Sequence, residues 1–130
     1  MTGIDPSEVM VRQARRRNRE AVEVGRVDVR LGAMPVLPFN DGAFDKAFAI
    51  NSFQFWRDKD ESSRALFRVV KPGGQVVIAV QPRHKGANEE AARAVGREIA
   101  GALTSAGFSN VIVSFKKMRP VATACVTATR

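Results

Sequence analysis

Residues 71–80 read KPGGQVVIAV, and this stretch decides the fold. Its first four residues end a helix, because proline lacks the amide hydrogen that the interior of a helix needs. The next six residues, 75–80, are almost all apolar and β-branched, which is typical of a strand covered on both faces. A helix that leads through a tight turn into a buried strand indicates an α/β protein.

Similar patterns on both sides of this strand predict the remaining elements. Capping residues, proline and glycine predict helices that begin near residues 7, 60 and 88 and end near residues 25, 70 and 107. Apolar or alternating runs predict strands at 27–31, 47–50, 110–115 and 121–129, and residues 2–4 are predicted as the end of a strand. This order predicts one α/β domain over residues 1–130, with a mostly parallel sheet flanked by helices and a C-terminal antiparallel strand pair.

The composition excludes several classes of protein. Hydrophobic residues make up 45% and charged residues 26% of the 130 residues, as in an ordinary globular domain. No apolar run approaches about 18 residues, so no membrane span is predicted. The single cysteine, Cys125, excludes an internal disulfide, and the single histidine, His84, excludes a multi-histidine metal centre. Since the N-terminus also lacks a secretory pattern, we expect a cytoplasmic protein without a metal.

The chain is basic, and the excess charge is unevenly placed. Residues 71–130 hold nine Lys and Arg against three Asp and Glu, so most of the net charge of +8 lies there. Nucleic-acid binders often add aromatic stacking residues to such charge, but Tyr is absent and most Phe lie in apolar stretches. Specific nucleic-acid binding is therefore disfavoured. Five arginines over residues 12–19 fit the solvent-exposed face of a helix. The alternative is that they form a patch that binds an anionic substrate.

Three loops are expected at one edge of the sheet. They follow Ile4, Leu31 and Ile50, and the carboxyl ends of parallel strands meet at the edge where such folds bind ligands. The first loop begins with Asp5, and either Asp5 or Ser7 can cap the helix that follows.

Four segments carry a resemblance to a known family. They are Gly3-Ile4-Asp5-Pro6-Ser7, Leu37-Pro38-Phe39 with Asp41-Gly42-Ala43-Phe44-Asp45, Arg68 to Gly74, and Ala106-Gly107-Phe108. In this order and spacing the chain resembles a class I S-adenosylmethionine-dependent methyltransferase of the small-molecule type. The resemblance implies a Rossmann-like fold, S-adenosylmethionine as cofactor and a small-molecule substrate.

The resemblance also implies roles for five residues. Asp5 would accept the two ribose hydroxyls of the cofactor, and Pro6 would lie against the adenine. Ala33 and Met34 match the stretch that lines the adenine pocket, but Ala33 cannot bond the adenine amino group as an acid would. Asn51 would lie at the cofactor edge. The alternatives are that Asp5 only caps a helix and that Asn51 only forms a turn.

No catalytic base is assigned. His84 is the only histidine candidate, and a surface role is favoured for it. The aromatic residues Phe53, Phe55 and Trp56 would line a substrate pocket or belong to the core. Cys125 is expected to be a small core residue.

The chain departs from the family at its front, since it contains no Gly-rich turn for the methionine part of the cofactor. The family's first strand is also absent, so we expect a truncated protein. The strand that matches the family's second could then pair directly with the one that matches its fourth, another chain could supply the missing element, or the protein could associate through exposed sheet edges. We expect the missing turn to impair cofactor binding. The alternative function is a non-catalytic methyltransferase-like remnant that binds a partner or an anion through its basic second half.

Overall fold

The structure is a computed structural model that covers residues 1–130. Its internal contacts divide the chain into two compact units, residues 1–37 and residues 38–130. The elements follow the order β1 (Thr2–Asp5), α1 (Glu8–Arg17), α2 (Arg19–Glu23), β2 (Asp28–Leu31), β3 (Phe44–Ile50), α3 (Lys59–Val69), β4 (Val70–Val80), α4 (Glu89–Ser105), β5 (Ser109–Lys116) and β6 (Thr123–Thr129). None of the helices combines the length and hydropathy that crossing a membrane requires.

The first unit is a parallel strand pair, β1 and β2, joined by two helices. Ser7 caps α1, because its side chain accepts the N–H of Met10 at 3.3 Å. The single helix expected here is two, with a break at Asn18. The side chain of Asn18 donates to the carbonyl of Ala14 at 2.9 Å, and such local bonds compete with the helical ladder.

The second unit contains a four-stranded sheet of order β3-β4-β6-β5. Strands β3 and β4 run parallel, whereas β6 is antiparallel to both β4 and β5. The predicted α/β fold with a C-terminal antiparallel pair is confirmed. The sheet is mixed rather than mostly parallel, because β6 lies between β4 and β5 and opposes both.

Both helices of the second unit begin at a side-chain cap. Asp58 accepts the N–H of Glu61 at 2.7 Å, and Asn88 accepts the N–H of Ala91 at 3.0 Å. Helix α4 packs on β5 and β6 and also contacts α3. Its Gly96 permits this close approach, since a Cβ there would lie 3.1 Å from Val113.

The two faces of this sheet differ in burial. Register and alternation put Val76, Ile78 and Val126 on one face, and all three are fully buried. On the opposite face Phe48 and Ile50 remain 65% and 64% exposed. The core of the second unit therefore lies between the sheet and α4.

Strand β4 begins immediately after α3, where the sequence predicts a turn. Its register with β3 shifts between Phe44 and Lys46, so residues 71–74 bulge out of the parallel ladder. The bulge is tied down by Lys71 Nζ, which lies 2.7 Å from Asp45 Oδ1, and by the N–H of Gly73, which donates to the carbonyl of Arg130 at 2.7 Å. The hydrogen bond from Lys71, with its charge, lowers the pKa of Asp45.

Gly74 is the position where this bulge leaves no space for a side chain. A Cβ there would lie 2.6 Å from Val70 Cγ1 and 2.7 Å from the carbonyl oxygen of Asp45. We expect Gly74→Ala to lower the free energy of unfolding by about 2 kcal/mol or more, because backbone atoms must move. Chemical denaturation with urea measures this change.

The matched control is Gly101→Ala, in the C-terminal half of α4. A Cβ at Gly101 meets nothing within 4 Å, so this change should raise the stability by about 0.5–1 kcal/mol. Equal effects of the two substitutions would contradict the packing described for residues 70–74.

Candidate functional site

The first unit brings the ends of its two parallel strands together. Asp5 is the last residue of β1 and lies opposite Leu31, the last residue of β2. The N–H of Gly32 donates to the carbonyl of Asp5 at 3.1 Å, so the chain leaves both strands at the same edge. This edge is the expected location for ligand-binding residues.

The Asp5 side chain closes the turn that leads into α1. Its Oδ1 accepts the N–H of Ser7 at 2.8 Å, and Ser7 itself takes the capping position. Asp5 is half-buried and takes part in no ion pair. A carboxylate has about four acceptor positions, so this single bond leaves Asp5 with acceptor capacity for a ligand.

Three further candidates lie at the same edge. Pro6 is exposed and directly follows Asp5, whereas Ala33 and Met34 follow β2 and are exposed and half-buried, respectively. The structure therefore brings together four of the five residues that the sequence predicts. They offer one carboxylate beside apolar surface.

The fifth candidate, Asn51, belongs to the second unit and follows β3. Its backbone has φ of 50°, a left-handed conformation that asparagine tolerates better than most residues. Its N–H donates to the carbonyl of Ala79 at 2.8 Å, and its Oδ1 accepts the N–H of Gln81 at 2.9 Å. Asn51 thus joins the carboxyl ends of β3 and β4.

Gln81 also belongs to this region, and its sequence pattern predicts no role for it. It is 3% exposed, and its Nε2 donates to the carbonyls of Arg119 at 3.1 Å and Val121 at 2.8 Å. Its Oε1 accepts two hydrogen bonds from Arg83, from Nε at 3.1 Å and Nη2 at 3.0 Å. The sequence signal was a polar residue directly after an apolar strand, at the end where ligands bind.

The remaining candidates separate by burial. Phe53 is fully buried and Trp56 is 9% exposed, so both belong to the core, whereas Phe55 is 78% exposed. His84 is exposed in the loop after β4. Cys125 is half-buried in β6, on the face opposite α4, rather than in the core as the sequence predicts.

Comparison with known proteins identifies similar sequences and folds. A family model described as a methyltransferase domain matches residues 1–78. YdaC, an uncharacterized methyltransferase of Bacillus subtilis, is 32% identical over 126 residues, which make up 97% of this chain and 67% of YdaC. The ubiquinone/menaquinone biosynthesis C-methyltransferase UbiE of Geotalea daltonii is 33% identical over 81 residues, 60% of this chain and 33% of UbiE. A solved SAM-dependent methyltransferase from Aquifex aeolicus has a TM-score of 0.74 at 23% identity, covering 98% of this chain and 67% of that one.

These similarities differ in how much of each protein they cover and in whether they concern the sequence or only the fold. The chain spans about two thirds of YdaC but only a third of UbiE. The likeness to the Aquifex aeolicus protein is one of fold, because one fold hosts many functions. The matched segment 1–78 includes both Asp5 and Asn51. The matches favour an enzyme family over a non-catalytic interaction module.

The backbone strain and the side-chain bond of Asn51 can be separated by substitution. Asn51→Gly should lower the free energy of unfolding by about 1–2 kcal/mol, because the N–H of Gln81 loses its acceptor. Asn51→Ala should lower it by about 1 kcal/mol more, since alanine adopts φ of 50° only with strain. Thermal or urea unfolding measures both changes.

Asn110 provides the matched control for this pair. It has φ of 49° and no hydrogen bond from its side chain, so Asn110→Gly should change stability by less than about 0.5 kcal/mol. If Asn51→Gly also changes the free energy of unfolding by less than about 0.5 kcal/mol, the hydrogen bond to Gln81 does not hold the end of β3.

Proposed function

Because the chain belongs to the family of class I S-adenosylmethionine-dependent methyltransferases, we propose that it transfers a methyl group from this cofactor to a small molecule. The observation that carries the proposal is the edge of the first unit. There a carboxylate, Asp5, stands at the end of a parallel strand beside exposed Pro6 and Ala33.

Asp5 is the residue that we propose for the ribose of the cofactor. Two neighbouring hydroxyls need two acceptors, and a carboxylate supplies them in a charge-assisted form. The bond from Ser7 to Oδ1 fixes the orientation of the carboxylate before the ligand arrives. A preoriented acceptor loses less entropy on binding than a mobile one.

The adenine would lie on apolar surface at the same edge. Pro6 offers an exposed ring, and Met34 offers a polarizable side chain that is half-buried. Ala33 has no polar group, so the adenine amino group would find its acceptor on the backbone. This arrangement fits the adenosine part of the cofactor.

The chain itself contributes mainly positioning to the proposed reaction. S-adenosylmethionine supplies an electrophilic methyl group on a positively charged sulfur. Holding an acceptor in line with that group makes the step effectively unimolecular, which lowers the barrier without a strong base. We propose Asn51 as the cofactor contact of the second unit, with its Nδ2 as a donor, because its Oδ1 already accepts the N–H of Gln81.

Calorimetric titration with S-adenosylhomocysteine tests the cofactor site. Asp5→Asn keeps an acceptor for the N–H of Ser7 but loses the charge and one acceptor oxygen. We expect it to raise Kd by about 10- to 100-fold, since hydrogen bonds to a charged group contribute about 1.5–3 kcal/mol.

The control is Asp28→Asn, the same substitution at the first residue of β2. Asp28 pairs with Arg30 and lies at the opposite end of the strand from Leu31. It should leave Kd within about twofold. Tight binding that survives Asp5→Asn, or no binding to a folded chain, contradicts the proposed site.

A further inference from the structure

A fixed guanidinium group stands at the carboxyl end of β4. Arg83 Nε and Nη2 both donate to Oε1 of Gln81, which is itself 3% exposed. The amide of Gln81 is held in turn by two backbone carbonyls, those of Arg119 and Val121. A buried, fully bonded side chain thus orients an exposed charged one.

The orientation leaves one side of the guanidinium open. Arginine has five N–H donors, and the two that point sideways, on Nε and Nη2, are used by Gln81. The two that point forward, one on each terminal nitrogen, form the fork that matches a carboxylate or a phosphate in a bidentate pair. Gln81 satisfies Arg83 without neutralising it, because an amide carries no charge.

No acidic side chain forms an ion pair with Arg83. It takes part in none of the ion pairs of the structure, in contrast to Arg68 and Arg97. The loop over residues 81–88 and the segment 116–122, which Gln81 ties together, hold five Lys and Arg and no Asp or Glu.

One acid does approach this region from helix α4. Glu89 Oε1 accepts the N–H of Ala122 at 3.3 Å and forms no ion pair, so it is engaged by the backbone. The region at the end of β4 therefore keeps a net positive charge.

Asn51, the residue of the second unit that we propose for the cofactor, accepts the N–H of Gln81 at 2.9 Å, and Gln81 orients Arg83. We therefore propose that Arg83 docks an anionic group, a carboxylate or a phosphate, of the methyl acceptor. The inference rests on the proposed function, because it assigns the substrate class of that reaction. Arg83 is the contact residue, and Gln81 positions its guanidinium. An acceptor bound in this way is a small organic anion whose charged end lies against Arg83.

Two probes test the docking of an anion. Benzoate and inorganic phosphate are titrated into the chain with saturating S-adenosylhomocysteine, and the backbone N–H resonances of residues 81 and 83–87 and the Arg83 Nε–H are followed by NMR. We expect a saturating shift of the Arg83 Nε–H resonance with Kd in the millimolar range. A stronger response to benzoate identifies a carboxylate acceptor, and a stronger response to phosphate identifies a phosphoryl acceptor.

Three variants distinguish the effect of the bidentate guanidinium geometry from the effect of the positive charge alone. Arg83→Gln should weaken the response at residues 81 and 83–87 at least tenfold, and Arg83→Lys should weaken it about threefold or more, because lysine keeps the charge but not the fork. Arg64→Gln removes the same charge from an exposed position of α3 and should change Kd by less than twofold. Equal losses in Arg64→Gln and Arg83→Gln would overturn the proposal.

The same samples distinguish this inference from the proposed function. Binding of S-adenosylhomocysteine without any anion response overturns the Arg83 assignment and leaves the methyltransferase proposal standing. An anion response without S-adenosylhomocysteine binding overturns the assignment of an acceptor together with the proposed function. Preference for a single-stranded oligonucleotide over both probes, with a steep loss of affinity in added salt, replaces the small anion with a nucleic acid.

Discussion

Strand β4 is hydrogen-bonded on both sides, and its register determines the arrangement of residues 38–130. Parallel pairing with β3 and antiparallel pairing with β6 put Val76 and Ile78 on the buried face. Since side chains alternate, a slip of one residue would turn both out of the core. Gly74 fixes the strand at the end of its bulge, where only a hydrogen fits, and Gln81 fixes the chain just beyond the end of the strand.

The sequence predicts elements well where a local pattern is sufficient. The apolar run that ends at Val80 and the cap at Asn88 both appear where they are predicted. The break at Asn18 was missed, because a single side chain competing with the helix leaves no change in hydrophobic period. The sequence predicts a turn at the bulge of residues 71–74, since the partners of the bulge, among them Arg130, are distant in the chain. For the same reason the sequence does not predict that the sheet is mixed, because strand order depends on contacts between residues that are distant in the chain.

The candidate cofactor edge shows a similar division. Resemblance to the family singles out Asp5, but local pattern leaves it undecided between a helix cap and a ligand contact. The structure assigns the cap to Ser7 and gives Asp5 one bond to the backbone, which is compatible with a second partner. By contrast, the only sequence signal for Gln81 is its position directly after an apolar strand, and its five hydrogen bonds, which involve residues up to 40 positions away, cannot be predicted from a local pattern. Polar networks of this kind become visible only when the fold is known.

The pairing of Gln81 with Arg83 explains why arginine suits this position better than lysine. A free arginine or lysine side chain has about 2 kcal/mol of rotamer entropy to lose when it grips a ligand. Here the sideways fork of Arg83 is already bonded, so much of that entropy is lost during folding and not during binding. A lysine ammonium has three donors and could contact both Gln81 and an anion, but it has no planar group that bonds Gln81 on one side and presents two parallel donors to the anion on the other. The buried amide therefore converts a mobile surface charge into a directed one, and it does so without the carboxylate that would cancel the charge.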